Sequence, residues 1–423
     1  MTMPRVLVLD GQTNQALACV RSLGRAGYEV LVASRRRRPL AGWSKWSAGH
    51  RRVRNETGGE FGELREWAVS RGIGIVLPMT ERSCLLCNEE RERWESAGIR
   101  VGCPDSATIR QAFDKARTLE AAEACGVAIP PTRLASSEAG FERQAEELGY
   151  PCVVKARFSE VLVDGRLMRG GGAGYVAGRS ELAAAVRQRR QGAHWPILQK
   201  FVAGAGLGVS GVCDRGRPVS LYAHERLRDV RPSGSGSSLR RTIPLEPRLR
   251  EPAERLLAQL RWHGPVMVEF RDEGGPLPRL MEVNGRFWGS LQLAVDAGLD
   301  LPRIWVELLQ GKRLGPVGDY RTGVSLRWLW GDVKRCLTIL RGAPPGFPGA
   351  YPARLRGVVE LFERQPPGTR LEAWEPDDPA PAIGEWIQGV SELLDLAWPR
   401  RPATPRAVRS GPAPSLELGI DHE

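Results

Sequence analysis

The stretch Leu280–Ser290, LMEVNGRFWGS, sets a glutamate, an asparagine and an arginine within five positions of an otherwise apolar strand pattern. Alternate side chains of a strand share a face, so Leu280, Glu282 and Asn284 line one surface while Met281 and Val283 point to the other. The upstream run PVMVEF carries Glu269, and the turn-rich RDEGGPL between the two runs predicts a hairpin that sets Glu269 close to opposite Glu282. Two facing carboxylates repel. A hard divalent cation, Mg²⁺ (or Mn²⁺), would relieve that conflict by taking Glu269, Glu282 and Asn284 oxygens and leaving positions for water and phosphate oxygens. A solvated polar sheet face is the alternative, and on these residues alone both stay open. Arg286 follows where the strand should end, and its guanidinium could fork onto phosphate or carboxylate oxygens.

A second set of residues suits an anion. Arginine outnumbers lysine 55 to 6, so each lysine is informative. Lys155 sits between Val154 and Ala156 in an apolar strand pattern, a costly place for an ammonium unless an anion waits there. Lys115 lies in a predicted helix just before a domain junction. A surface lysine is the alternative for each. Downstream, Arg169-Gly170-Gly171-Gly172-Ala173-Gly174 could fold its backbone N–H groups around phosphates. No G-x-x-x-x-G-K-[ST] motif occurs, so a nucleotide triphosphate would be held without a Walker loop.

The elements that must position these residues follow from periodicity. RVLVLD at 5–10, a helical pattern through Ala16, Leu17, Val20 and Leu23, and YEVLVAS make a strand–helix–strand unit, and GIGIVLPMT and GIRVGCP add two strands. A parallel α/β first domain results. Its first turn, Asp10-Gly-Gln-Thr-Asn-Gln15, has one glycine where a dinucleotide fingerprint needs three, so the NAD reading fails there. One helix is predicted over 105–126, another near 137–148, then strand 151–157, the glycine segment, a helix at 180–191 and strand 196–202. GLGVSGVCDRG and PVSLYAHERL read as strands, Pro232–Ser238 as a flexible loop, and 249–262 as a helix. Beyond 310 the pattern weakens to a Pro/Gly-rich stretch, a helix near 383–396 and a disordered tail from Pro399.

At 423 residues the chain has room for about three domains. The eight cysteines are scattered, and Cys84-Leu-Leu-Cys87 lacks the second pair or histidine of a zinc set, which leaves a helix face facing the core. The net charge of +12 is spread thinly apart from Arg35–Arg38, which argues against nucleic acid. With no leader pattern and no apolar run near the ~18 residues of a membrane span, a cytoplasmic protein without membrane attachment is expected.

With these residues in view, the chain resembles the ATP-grasp superfamily over about residues 5–310. It is most similar to the carboxylate-amine ligase-like branch, which includes the ATP-binding domain of the carbamoyl phosphate synthase large chain and D-amino-acid ligases. MVEF followed by LMEVNGRFWGSLQLAVDAGLDLP is the most specific stretch. The resemblance implies an α/β pre-ATP-grasp domain (1–112) followed by the α+β ATP-grasp fold in two subdomains (113–195 and 196–312). A poorly defined, helical C-terminal extension (313–398) and the tail (399–423) complete the chain. It implies ATP and Mg²⁺ as cofactors, with Lys115 and Lys155 on the phosphates and Gly170, Gly171 and Gly172 in a covering loop. The backbone of Gln199, Lys200, Phe201 and Val202 would read adenine, Glu269, Glu282 and Asn284 would hold metal, and Arg286 would lie near the transferred phosphoryl group. Two glutamates common in relatives are replaced by Lys200 and Ala205, and Arg226, Arg228 and Arg231 are either a carboxylate clamp or exposed basic side chains. The implied reaction activates a small-molecule carboxylate as an acyl phosphate for attack by an amine, forming a C–N bond, and a homodimer is the assembly that the resemblance suggests. The alternative is a nucleotide-binding protein with no catalysis or a regulatory one.

Overall fold

The computed structural model describes residues 3–53, 58–163 and 166–397. Strands β1 (Arg5–Val8), β2 (Val30–Ser34), β3 (Ser47–Arg52), β4 (Ile73–Leu77) and β5 (Arg100–Val101) form a parallel sheet in the order β3-β2-β1-β4-β5. The runs VLV at 6–8 and VLVA at 30–33 are apolar throughout because helices cover both faces of such a sheet, and Val6, Leu7, Val8, Val30 and Val32 are fully buried. Asp10 at the first turn has a left-handed backbone, φ 54°. Its carboxylate accepts from Met79 N (3.2 Å), Thr80 Oγ1 (3.0 Å) and Ser83 Oγ (2.6 Å). The turn therefore ties β1 to the end of β4 instead of presenting free N–H groups to a pyrophosphate. Cys84 and Cys87 lie on the helix Glu81–Glu89 and face the core.

The single helix predicted over 105–126 is two, Ser106–Phe113 and Lys115–Ala124. Asp114 breaks it with an extended backbone (φ −87°, ψ 102°) and caps the second helix by accepting from Ala116 N at 3.1 Å. Local side-chain capping outcompetes helix continuation at such an aspartate. The break puts Lys115 in the first turn of a helix rather than mid-helix.

A second, antiparallel sheet has the order β10-β7-β11-β6, from β6 (Thr132–Arg133), β7 (Cys152–Lys155), β10 (Gly174–Val176) and β11 (Ile197–Lys200). The helices Glu138–Leu148 and Arg179–Arg189 cover it over a small core of Phe141, Val154, Val186 and Leu198. Because β11 pairs with β6 and β7, this sheet takes chain from both sides of residue 195. A separate hairpin, β8 (Glu160–Val163) with β9 (Arg166–Arg169), leads into the glycine segment.

The third sheet is seven-stranded, β16-β15-β12-β13-β14-β17-β18. Its members are β12 (Ala205–Asp214), β13 (Arg217–Arg231), β14 (Ser235–Ile243), β15 (Gly264–Asp272), β16 (Arg279–Asn284), β17 (Ser325–Arg327) and β18 (Arg370–Leu371). The segment Pro232–Ser238, expected as a flexible loop, is mostly strand. Only Pro232–Gly234 turn, with Gly234 at φ +101°, while Ser235 and Ser237 pair with Arg231 and Asp229. Composition misleads here because serine backbones serve a ladder as well as any others.

Residues 313–397 add β17 and β18 to this sheet, the helix Leu329–Arg341 packs on β13 and β14, and the helix Ala380–Ala397 then returns to the first domain. Buried Arg21 holds that return, binding Asp378 Oδ2 at 2.9 Å and the carbonyls of Ala373 and Asp378 at 2.9 Å each. Gly389 lets the last helix close on Trp330, since a Cβ there would come within 2.1 Å of the indole. The expected tail from Pro399 lies outside the described residues. Among the described residues no helix is long and apolar enough to cross a membrane.

Candidate functional site

The hairpin β15–β16 pairs Glu269 directly with Glu282, with a bulge just beyond, between Glu269 and Phe270. Two groups engage the facing carboxylates, one a neutral hydrogen-bond donor and one a cation. The amide nitrogen of Asn284 donates to Glu269 Oε1 at 3.0 Å and reaches Glu282 Oε1 at 3.5 Å, and Arg226, from β13, closes an ion pair with Glu269. Burial pushes the Glu282 carboxyl up, but the charges of Lys115, Lys155 and Arg226 and the Asn284 amide outweigh it and hold it below the ordinary range. Arg286 donates to Asn284 Oδ1 at 3.2 Å and stands 3.9 Å from Glu81 of the first domain.

Among the described residues no three His, Cys, Asp or Glu side chains cluster as a metal site. The candidate set here is two carboxylates and an amide, which suits a hard cation that keeps water and phosphate oxygens. An amide N–H₂ now sits where such a cation would neutralise both carboxylates, so Asn284 must turn its oxygen inward to act as a ligand.

Across the cleft, Lys155 projects from the end of β7 and donates to Gln199 Oε1 at 2.7 Å. Gln199 is in turn held by Thr132, its amide nitrogen 3.0 Å from Thr132 Oγ1. Burial, then the nearby charges of Lys115 and Arg271, push the Lys155 ammonium down to about 8, with Glu282 opposing. Lys115 reaches Ser159 Oγ at 3.1 Å, and its helix is anchored by Arg157, which grips Asp114 with two bonds of 2.7 Å. Lys115, Lys155, Gly171, Gly172, Glu269 and Glu282 thus line one cleft of about 610 Å³. Gly170 shapes its rim: a Cβ there would lie 2.2 Å from Phe158 O, so only glycine lets the loop pass this close to that backbone.

The segment Gln199–Val202 is placed less simply. None of its four residues lines the cleft. Gln199 acts through Lys155, and Val202 is buried. Lys200 turns its ammonium to the carbonyls of Leu148 and Gly149 (3.5 and 3.4 Å), at the end of the helix Glu138–Leu148. Phe201 stacks edge-on with Tyr175 and Phe347, centroids 6.2 and 5.8 Å away.

Of the three arginines considered for a clamp, Arg226 and Arg231 line the cleft, whereas Arg228 is buried in ion pairs with Asp332 (3.1 Å) and Glu363. The sequence reading missed Arg271, Tyr175 and Glu81. Arg271 follows Glu269 by two on the same strand, a spacing that could have marked it. Glu81 carries no signal beyond opening a helix.

A second cavity of about 400 Å³ adjoins the first, and Arg226 and Glu269 line both. Its walls come from the first turn of the parallel sheet, the seven-stranded sheet and the C-terminal helices. His224 lies in this wall, and burial and the charges of Arg226 and Arg240 push its imidazole down to about 3, so it is neutral at ordinary pH.

Comparison with known proteins accords with this architecture. Residues 196–331 match the family described as "ATP-grasp in the biosynthetic pathway with Ter operon". Similar solved structures include biotin carboxylase from Campylobacter jejuni in complex with an ATP ligand (15% identity, TM-score 0.61, 76% of this chain and 74% of that one). N5-carboxyaminoimidazole synthetase from Staphylococcus aureus with ADP is another (13%, 0.60, 77% and 82%). L-amino acid ligase from Bacillus licheniformis is a third (16%, 0.56, 73% and 75%). The chain has the ATP-grasp fold.

Proposed function

We propose that this ATP-grasp chain is an ATP-dependent ligase that activates a small-molecule carboxylate as an acyl phosphate and passes the acyl group to an amine. The observation that carries the reading is the register that sets Glu269 against Glu282, in one cleft with Lys115 and Lys155. Two carboxylates and two ammonium groups converge there from three separate segments, an arrangement that phosphate oxygens and a divalent cation would both neutralise.

In this reading Lys115 and Lys155 bind phosphate oxygens, with Gln199 orienting Lys155. The loop 170–173 covers them and excludes water. Glu269, Glu282 and Asn284 would hold Mg²⁺, which when bound shields the phosphates and polarises the one transferred. The substrate carboxylate oxygen forms a bond to the γ-phosphorus while the bond to the ADP oxygen breaks; the amine then attacks the acyl carbon and inorganic phosphate leaves. Positioning and charge neutralisation carry such a transfer, with no covalent nucleophile on the protein. Arg286, tethered to Asn284, supplies positive charge beside the phosphoryl group.

The test is ADP release in the presence of Mg²⁺ across libraries of carboxylic acids and amines. Release that requires both an acid and an amine supports the ligase. Tight MgADP binding with no release across the libraries sinks it and leaves nucleotide binding without turnover, which the existing Arg226–Glu269 pair also favours.

A further inference from the structure

The second cavity contains a buried acid that the phosphoryl-transfer chemistry does not use. Glu385, on the helix Ala380–Ala397, is 7% exposed and lines the cavity. Among the described residues the one donor it receives is neutral, Trp328 Nε1 at 2.7 Å. The cations that face it are engaged elsewhere. Lys334 pairs with Glu392 at 3.0 Å and lies over the Trp328 ring, 5.3 Å from its centroid, and Arg240 closes on buried Glu372. Burial pushes the Glu385 carboxyl up to about 7, against the hydrogen bond from Trp328 and the charges of Lys334 and Arg240. A buried carboxylate without a cationic partner costs stability and is retained where something supplies the charge.

The wall around it favours a cation. Trp288, Trp328 and Trp330 all line the cavity, and aromatic faces attract ammonium groups, more so where water is excluded. Gln388 also lines the cavity, and its Oε1, buried without a hydrogen-bond partner among the described residues, can accept from an ammonium. We infer that this cavity binds a small molecule bearing a protonated amine, with Glu385 as its counter-ion and the tryptophans as its walls. The inference deepens the ligase reading: binding at Glu385 stands without it, but the role of that molecule as the amine substrate rests on it. Arg226 and Glu269 border both cavities, so a molecule in this one lies beside the phosphoryl site.

The experiment is saturation-transfer NMR with the full chain at pH 8, using putrescine, cadaverine and benzylamine against the isosteric 1,4-butanediol, 1,5-pentanediol and benzyl alcohol. At least one ammonium of each matched pair should saturate more strongly than its alcohol. Its affinity should fall at least tenfold in Glu385→Gln, with MgADP affinity within twofold of the parent. Trp328→Phe keeps the ring and removes the N–H from the carboxylate, so ammonium binding should persist or tighten. Alcohols binding as well as amines, no ammonium compound binding at millimolar concentration, or amine affinity unmoved by Glu385→Gln would each overturn the inference. Amine binding that depends on Glu385, without ADP release in the libraries, would sink the ligase reading and spare this one.

Discussion

The two cavities that meet at the Arg226–Glu269 pair are built in opposite ways. The larger is charged: lysines, arginines and the carboxylates of Glu160, Glu269 and Glu282 line a cleft edged by glycines. The smaller sets three tryptophans among charges that are paired, Arg226 with Glu269, Arg240 with Glu372 and Lys334 with Glu392, and holds one poorly compensated acid, Glu385. On the proposed reading the first balances the charge of a polyanion and a metal, and the second selects a substrate by its charge and flat surfaces. A site divided this way can keep its phosphoryl chemistry while the aromatic cavity sets what is joined.

The strongest test of that division is Glu282→Gln. It removes one of two paired carboxylates without changing shape, and Mg²⁺-dependent nucleotide binding and ADP release should fall by about 10²-fold or more. The melting temperature should hold or fall slightly, since Lys115, Lys155 and Arg226 lose an anion whose attraction outweighs its burial. Equal losses of ammonium binding in the second cavity would break the division.

Next in size is Arg226→Met at the shared border. The guanidinium and the Glu269 carboxylate are both largely buried, with side-chain exposures of 10% and 14%. Breaking such a pair leaves Glu269 beside Glu282 with one neutral donor, a cost of about 3 kcal/mol read from denaturant unfolding. Mg²⁺ should restore a larger share of stability to this variant than it adds to the parent. Absence of that rescue would place the metal elsewhere than between the two glutamates.

Lys155 gives a pH signature confined to the charged cavity. Its ammonium is pushed down to about 8 from 10.5. The unfolded chain holds the proton up to the ordinary lysine value, so folded stability without nucleotide should rise between about pH 8 and 10.5. Phosphate binding favours the ammonium and works the other way. Nucleotide affinity should be full below pH 8 and fall by up to about tenfold per pH unit above it. Titration calorimetry near pH 8.5 in buffers of different ionisation enthalpy should show proton uptake on MgADP binding, and Lys155→Met should abolish it.

What could be read from the chain differs between the cavities for a physical reason. Strand alternation and one turn placed Glu269 opposite Glu282, because a hairpin's register is a local property. Lys155 stood out because an ammonium in an apolar strand demands a partner. The parallel sense of the first sheet followed from its strand–helix–strand unit, whereas the edge strand Ser47–Arg52, SAGHRR, lacks the apolar run that marks the others. Asp114, by contrast, breaks a helix through a capping bond that periodicity does not show. The aromatic cavity draws on residues 12–15, three strands, the turn after β16 and two C-terminal helices, each unremarkable alone. Its tryptophans and Glu385 meet only through long-range contacts such as Arg21 with Asp378, which no local pattern encodes.

The smallest effect expected is at Lys200, where relatives suggested by the sequence often carry a glutamate. If the missing acid weakened nucleotide binding, Lys200→Glu should restore it. The structure argues otherwise. The Lys200 ammonium faces the last carbonyls of the helix Glu138–Leu148, where positive charge is favourable, and does not line the charged cleft. Reversing the charge should cost about 0.5–1 kcal/mol in unfolding free energy through the helix end, while MgADP affinity changes less than about twofold, within the range of weak surface electrostatics. A tenfold gain in affinity on Lys200→Glu would instead mean that this strand turns its side chain to the nucleotide when one binds, and that the charged cavity extends to the segment Gln199–Val202.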